Sequence, residues 1–211
     1  KYARESKKAG AYRFRYCDTL GYEDPKTTYD RIYKIAKETQ MPIELHYHND
    51  LGMATACSIM GAKAAIDAGV DAYINTAING MGERAGNASL EEVIMSLKLL
   101  YGKDLGFKTK HIKELSELVS KASGLPVPYN KPVVGNNVFR HESGIHVDAV
   151  IEEPLCYEPY IPELVGQKRQ LVLGKHSGCR AVRAKLNECD LDVSDDTLIE
   201  IVKKVKKSRE E

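Results

Sequence analysis

Strand and helix patterns alternate three times through the first half of the chain, and a polar cluster follows each strand. Residues 12–17, Tyr-Arg-Phe-Arg-Tyr-Cys, alternate in polarity as a strand does, and Asp18-Thr19-Leu20-Gly21 closes it. Asp24-Pro25 opens a helix, with proline in the first turn where its missing N–H costs nothing. Its apolar stripe is Tyr29, Ile32, Tyr33, Ile35 and Ala36. Residues 42–48 form the second strand, and an Ala-rich helix follows from about Met53 to Ala68. A third strand spans Ala72 to Ile78, and a third helix Leu90 to Tyr101, with Val93, Ile94, Leu97 and Leu100 on one face. Strands joined by helical crossovers must run parallel. Parallel sheets place ligands at the carboxyl ends of their strands. Asp18-Thr19, residues 46–50 and residues 79–87 all fall at that end, which random placement would not produce.

The pattern changes after Gly102. Lys110 to Ser123 reads as a helix, and Gly124 to Pro132 is a proline-rich connector that cannot be regular structure. A mixed segment follows, and Ser194 caps a last helix from Asp195 to about Lys207. These changes divide the chain near 103–109, into residues 1–105 and 106–211.

Composition narrows the class. A net charge of +1 over 211 residues gives no case for a nucleic-acid partner. No apolar run approaches the ~20 residues that span a bilayer. Five cysteines without a C-x-x-C pair point to free thiols in a reducing, cytoplasmic setting.

Two clusters carry chemistry. In His46-Tyr47-His48, residues i and i+2 of a strand share a face, so two imidazoles converge as ligands of a divalent metal would. Two polar residues leaving a strand into solvent is the competing reading, and it is the stronger one for a bare His-x-His. Residues 79–87, Asn-Gly-Met-Gly-Glu-Arg-Ala-Gly-Asn, place Glu83, Arg84 and Asn87 on one loop whose glycines permit tight turns. An internal ion pair within an ordinary glycine-rich loop fits these residues equally well.

Ile43-x-x-His46-x-His48-Asn49-Asp50-x-Gly52-x-Ala54-x-Ala56, followed by Asn79 to Asn87, resembles the 2-isopropylmalate synthase/homocitrate synthase family. Cys17-Asp18-Thr19-Leu20-Gly21 matches the preceding strand end of that family. Residues 141–148, 157–166 and 173–178 match its C-terminal subdomain, in family order. The resemblance implies an α/β fold: strands six to eight of a (β/α)₈ TIM barrel, then a small, mainly helical C-terminal subdomain. It implies His46 and His48 as ligands of a divalent metal (Zn, Mn or Mg), with Asn87 as a weaker third. It implies Thr19 as a hydrogen-bond donor to the carboxylate of a 2-oxo acid, Glu83 and Arg84 as organisers of the site, and His146 with Tyr157 as the catalytic pair. His146 alone reads better as a structural histidine in a turn; the resemblance reverses that. The subdomain in such enzymes commonly covers the barrel of a partner protomer, so a homodimer is expected. Cys57 stands where relatives often have Asn, with little effect expected. His141 and His176 receive no role, and His111 reads as a surface residue.

The implied chemistry is condensation of acetyl-CoA with a 2-oxo acid. A metal polarises the ketone, and a histidine that titrates near neutrality takes a proton from the acetyl methyl. Two hints favour 2-oxoglutarate, and hence homocitrate. Gly144-Ile145-His146-Val147-Asp148 resembles the nitrogen-fixation type of homocitrate synthase, and the chain ends soon after Gly178, where leucine-pathway members carry an allosteric domain. Isopropylmalate and citramalate synthases are the alternatives within the class, and a non-catalytic docking subunit is the alternative outside it. The family's strand-one segment, Asp-x-x-x-Arg-Asp-Gly or similar, is not found in this sequence. The first five strands are therefore expected from a preceding segment or from a separate subunit.

Overall fold

The computed structural model describes residues 1–141, 154–175 and 177–207. They form two compact units: Lys1–Lys108 with Leu115–Val127, and Thr109–Glu114 with Pro128–Glu211.

The first unit is a parallel three-stranded sheet with helices. After a short helix α1 (Tyr2–Lys8) come β1 (Phe14–Asp18), α2 (Pro25–Thr39), β2 (Ile43–Tyr47), α3 (Ala54–Asp67), β3 (Ala72–Asn75) and α4 (Leu90–Tyr101). The sheet order is β1-β2-β3, and both pairings are parallel. Strand alternation then decides everything about the site. Ile43, Leu45 and Tyr47 are fully buried in the core beside Ile32 and Ala36 of α2 and Ala64 and Ala65 of α3. Glu44 and His46 must therefore point to the opposite, polar face. In register across that face lie Arg15, Glu44 and Tyr73 in one row and Cys17, His46 and Asn75 in the next.

The helices begin and end for local reasons. Asp24 caps α2 by accepting from the backbone N–H groups of Lys26 and Thr27, at 2.9 and 3.0 Å, and Pro25 occupies its first turn. Small residues let α3 approach the sheet. A Cβ on Gly61 would lie 3.0 Å from Leu45 Cδ2, so even alanine there would force an adjustment.

Three expectations need correction. The first strand starts at Phe14 and runs on to Asp18. The third stops at Asn75 instead of reaching Ile78, because Asn79 turns left-handed (φ 60°) and its N–H donates to Glu91, which pulls residues 78–80 into a 3₁₀ turn. Leu100 is 77% exposed although it continues the apolar stripe of α4.

Helix α5 (Ile112–Ser123) follows a 3₁₀ turn at Thr109–His111, and no helix or strand occurs in residues 124–132. In the second unit, Arg140–His141 (β4) and Gln170–Leu171 (β5) pair in parallel. Helices α6 (Cys179–Asn187) and α7 (Asp195–Lys207) pack through Val182, Leu198 and Val202. Ser194 caps α7, its Oγ accepting from Thr197 N at 3.3 Å. No helix among the described residues is long and apolar enough to cross a membrane.

Candidate metal centre at the strand ends

His46 lies on the polar face of β2, and His48 leaves the end of that strand. Their ring centroids are 5.0 Å apart, with the planes nearly perpendicular at 85°. His48 also forms an antiparallel bridge with Asn87, which brings the loop after β3 back onto the strand end. The same junction is tied by Asn49 N to Gly86 O at 2.9 Å and by Ala88 N to Tyr47 O at 3.3 Å.

Two polar atoms at this junction are buried without a hydrogen-bond partner: His48 Nδ1 and Asn87 Oδ1. Leaving such a group unpaired costs about 1–3 kcal/mol. Asn87 Nδ2 donates to Met81 O at 3.0 Å, which fixes the side chain so that its oxygen is the atom left over. An imidazole nitrogen and an amide oxygen beside a second imidazole form a nitrogen/oxygen donor set of the kind that binds a divalent ion such as Zn. The residues present therefore fit a divalent ion. Among the described residues no third His, Cys, Asp or Glu joins them, so the protein donors at hand are uncharged.

The loop can reach Asn87 only because of its glycines. A Cβ on Gly82 would sit 2.2 Å from Asn87 Nδ2, and one on Gly86 (φ +86°) would sit 1.9 Å from Gly80 O.

Arg84 ties the three strand-end loops together. Its Nε donates to Asp50 Oδ1 at 2.9 Å, and its Nη2 donates to Asp50 Oδ2 at 3.0 Å and to Thr19 O at 2.7 Å. This fork holds the Asp50 carboxyl below the usual carboxylate range. At Gly21 a Cβ would lie 2.7 Å from Asp50 Oδ2, so the first loop closes tightly on the second.

Residues 1–119 match the family model described as HMGL-like, and residues 133–211 match one described as homocitrate synthase post-HMGL domain-like. The chain belongs to the HMGL-like family. It is 52% identical over 207 residues to the homocitrate synthase AksA of Methanothermobacter thermautotrophicus, covering 98% of this chain and 52% of that protein. It is 49% identical to 2-isopropylmalate synthase 2 of Caldanaerobacter subterraneus, covering 89% and 47%. It is 45% identical to the (R)-citramalate synthase CimA of Methanocaldococcus jannaschii, covering 96% and 40%. The chain thus spans about half the length of the curated relatives it matches. The HMGL-like family is a TIM-barrel family, and the α/β unit with its parallel sheet is in keeping with it.

In this HMGL-like chain the expected site residues fall into distinct groups. His46, His48 and Asn87 come together, and Arg84 reaches the backbone of Thr19. Glu83 does not join them: its side chain is 83% exposed and only 3.8 Å from Arg84 Nη1, while Asp50 is the carboxylate that Arg84 grips. Tyr157 is exposed in the second unit. It precedes Glu158, whose buried carboxylate takes a two-pronged bond from Arg169 at 2.8 and 2.6 Å. His146 lies outside the described residues.

Sequence reasoning passed over Asn75 and Glu91, and counted Asp50 in the strand-end cluster without pairing it to Arg84. Glu91 is buried and accepts from Asn79 N at 3.1 Å and Ser89 Oγ at 2.7 Å, which anchors the start of α4 to the loop. Its place in the first helical turn was the available signal.

Proposed function

We propose that this chain is the C-terminal part of a homocitrate synthase, which condenses acetyl-CoA with 2-oxoglutarate to give homocitrate and CoA. The observation that carries the reading is the pair of buried, unpartnered atoms, His48 Nδ1 and Asn87 Oδ1, beside His46 at the strand ends. Homocitrate synthases at 50–52% identity among its relatives support the choice of substrate.

A divalent ion held by His46, His48 and Asn87 would supply Lewis acidity to the substrate ketone. Thr19 donates a hydrogen bond to the 2-oxo acid carboxylate. The Arg84–Asp50 fork keeps the loops carrying Thr19, His48 and Asn87 at fixed spacing, which matters because misplacement of about 1 Å can cost 10²-fold in rate. His146 takes a proton from the acetyl methyl, and the resulting carbanion attacks the ketone carbon, whose C=O π bond opens to an oxyanion that takes up a proton to become the hydroxyl of the product. The Tyr157 hydroxyl stabilises the developing charge. Water then cleaves the thioester, releasing CoA and the new carboxylate. The three strands correspond to strands six to eight of the barrel. The working enzyme is a cytoplasmic homodimer whose barrel is completed by strands outside this chain.

The relatives named as isopropylmalate and citramalate synthases favour a second reading, the same chemistry on 2-oxoisovalerate or pyruvate. Acetyl-CoA consumption by the complete enzyme with the three 2-oxo acids in parallel separates the readings. The fastest turnover is expected with 2-oxoglutarate. No turnover with any of them would favour a non-catalytic subunit. His46→Ala and His48→Ala should each lose bound metal and turnover; retention of wild-type metal content by either would overturn the ligand assignment.

A further inference from the structure

His46 and Asn75 are register partners on β2 and β3, and residues so paired in a parallel sheet share a face. Asn75 Oδ1 lies 3.1 Å from His46 Nδ1. An amide oxygen can only accept, so this contact requires a hydrogen on Nδ1. A neutral imidazole with its hydrogen on Nδ1 keeps its lone pair on Nε2. The reverse orientation of the amide would place an N–H against Nδ1, move the ring hydrogen to Nε2 and leave that atom no lone pair to offer. We propose that Asn75 is a positioning residue: it holds the His46 ring by Nδ1 and so reserves Nε2 for a divalent metal. This rests on the reading of His46 as a ligand.

The surroundings give the bond its weight. His46 is half-buried, and its ring stands edge-on to that of His48, so a turn of the His46 ring would change the spacing of the two imidazoles. The two histidines are held by different means. His46 has a side-chain partner on the neighbouring strand, whereas His48 Nδ1 has none and is fixed through the backbone, by its bridge to Asn87 and by His48 N to Asp18 O at 3.3 Å. Asn75 is therefore the side chain that sets the tautomer of one ligand, and β3, which contributes no ligand from within the strand, takes part in the site through it.

The test uses the full-length enzyme, with nitrogen-15 NMR of labelled histidine in the metal-free protein and calorimetric titration with Mn²⁺. In the wild type, His46 should carry its hydrogen on Nδ1. Asn75→Leu removes the acceptor at similar volume; it should mix the tautomers and weaken Mn²⁺ binding by about 10–100-fold, the usual effect of removing such an outer partner. Asn75→Asp keeps an acceptor against Nδ1 and should hold both the tautomer and the affinity within a few-fold. A hydrogen on Nε2 in the metal-free wild type overturns the inference, as does wild-type affinity with an unchanged tautomer in Asn75→Leu. Failure of the metal reading is distinct: His46→Ala would then bind Mn²⁺ as the wild type does, and the wild-type tautomer would still decide the role of Asn75. If Asn75→Leu does not fold, the wild-type tautomer and the Asn75→Asp variant decide it.

Discussion

The guanidinium of Arg84 meets the carboxylate of Asp50 edge to edge, with two bonds of 2.9 and 3.0 Å, and with the same Nη2 it reaches the carbonyl of Thr19 at 2.7 Å. Three loops that follow three different strands are thereby joined through one side chain. Both partners are solvent-accessible, so the pair serves geometry more than stability.

The fork makes a pH prediction. Asp50 is depressed in the folded state, so its contribution is present above the unfolded carboxylate pKa of about 4 and fades as pH falls through the lower folded value. Wild type and Asp50→Asn should therefore differ in melting temperature at pH 7 and converge at acidic pH. Arg84→Lys, which keeps the charge but loses the fork, should resemble Arg84→Ala in kcat/KM. A Lys variant with wild-type kcat/KM would show that charge alone suffices.

Gly86→Ala should release Asn87 from the site. The new Cβ would meet Gly80 O at 1.9 Å from a left-handed backbone, and such strain costs on the order of 1–3 kcal/mol. The expected result is a lower melting temperature together with lost metal. A destabilised protein that retains full metal occupancy would show that the loop can relax without moving Asn87.

How far the sequence disclosed this arrangement depends on the range of each interaction. The shared face of His46 and His48 was legible because strand alternation is local. The limits of α4 were legible because Ser89 and Gly102 bracket an apolar stripe. The end of β3 was not, since Ala77 and Ile78 continue the apolar run and the turn is set by Asn79 reaching Glu91 twelve residues on. Asn75 was invisible for the same reason: its meaning lies in register with β2, which no single stretch of sequence displays. Glu83 is the carboxylate beside Arg84 in sequence, and only the fold shows that Asp50, thirty-four residues away, is the one it grips.

In the second unit, Arg169→Met should destabilise the protein by about 3 kcal/mol, because it deprives the buried Glu158 carboxylate of its guanidinium partner. Glu158→Gln with Arg169→Met should recover part of that loss. Urea unfolding of the single and double variants reads both values, and additive effects would mean the two side chains do not act as a pair.

His146→Ala in the complete enzyme should lower kcat by about 10²-fold or more, the usual scale for a general base, with KM for the 2-oxo acid little changed. Tyr157→Phe should act in the same direction. A raised KM at wild-type kcat would assign both residues to binding.

The last prediction concerns the chain by itself. Its sheet has three strands, and among the described residues neither β1 nor β3 is paired on its outer side. Such edges invite further strands or aggregation. Among the described residues the candidate site holds two imidazoles and an amide, which carry no charge to balance a divalent ion. The isolated 211-residue chain should therefore bind Mn²⁺ or Zn²⁺ weakly and consume no acetyl-CoA. Co-expression with a polypeptide corresponding to the other half of the homocitrate synthase relatives should restore all three properties together: paired sheet edges, tight metal binding and turnover. Metal analysis and acetyl-CoA assay of the co-purified complex, beside the chain alone, make the comparison. Robust condensation by the isolated chain would overturn this reading, because an acidic ligand would then have to come from residues that the present site does not include.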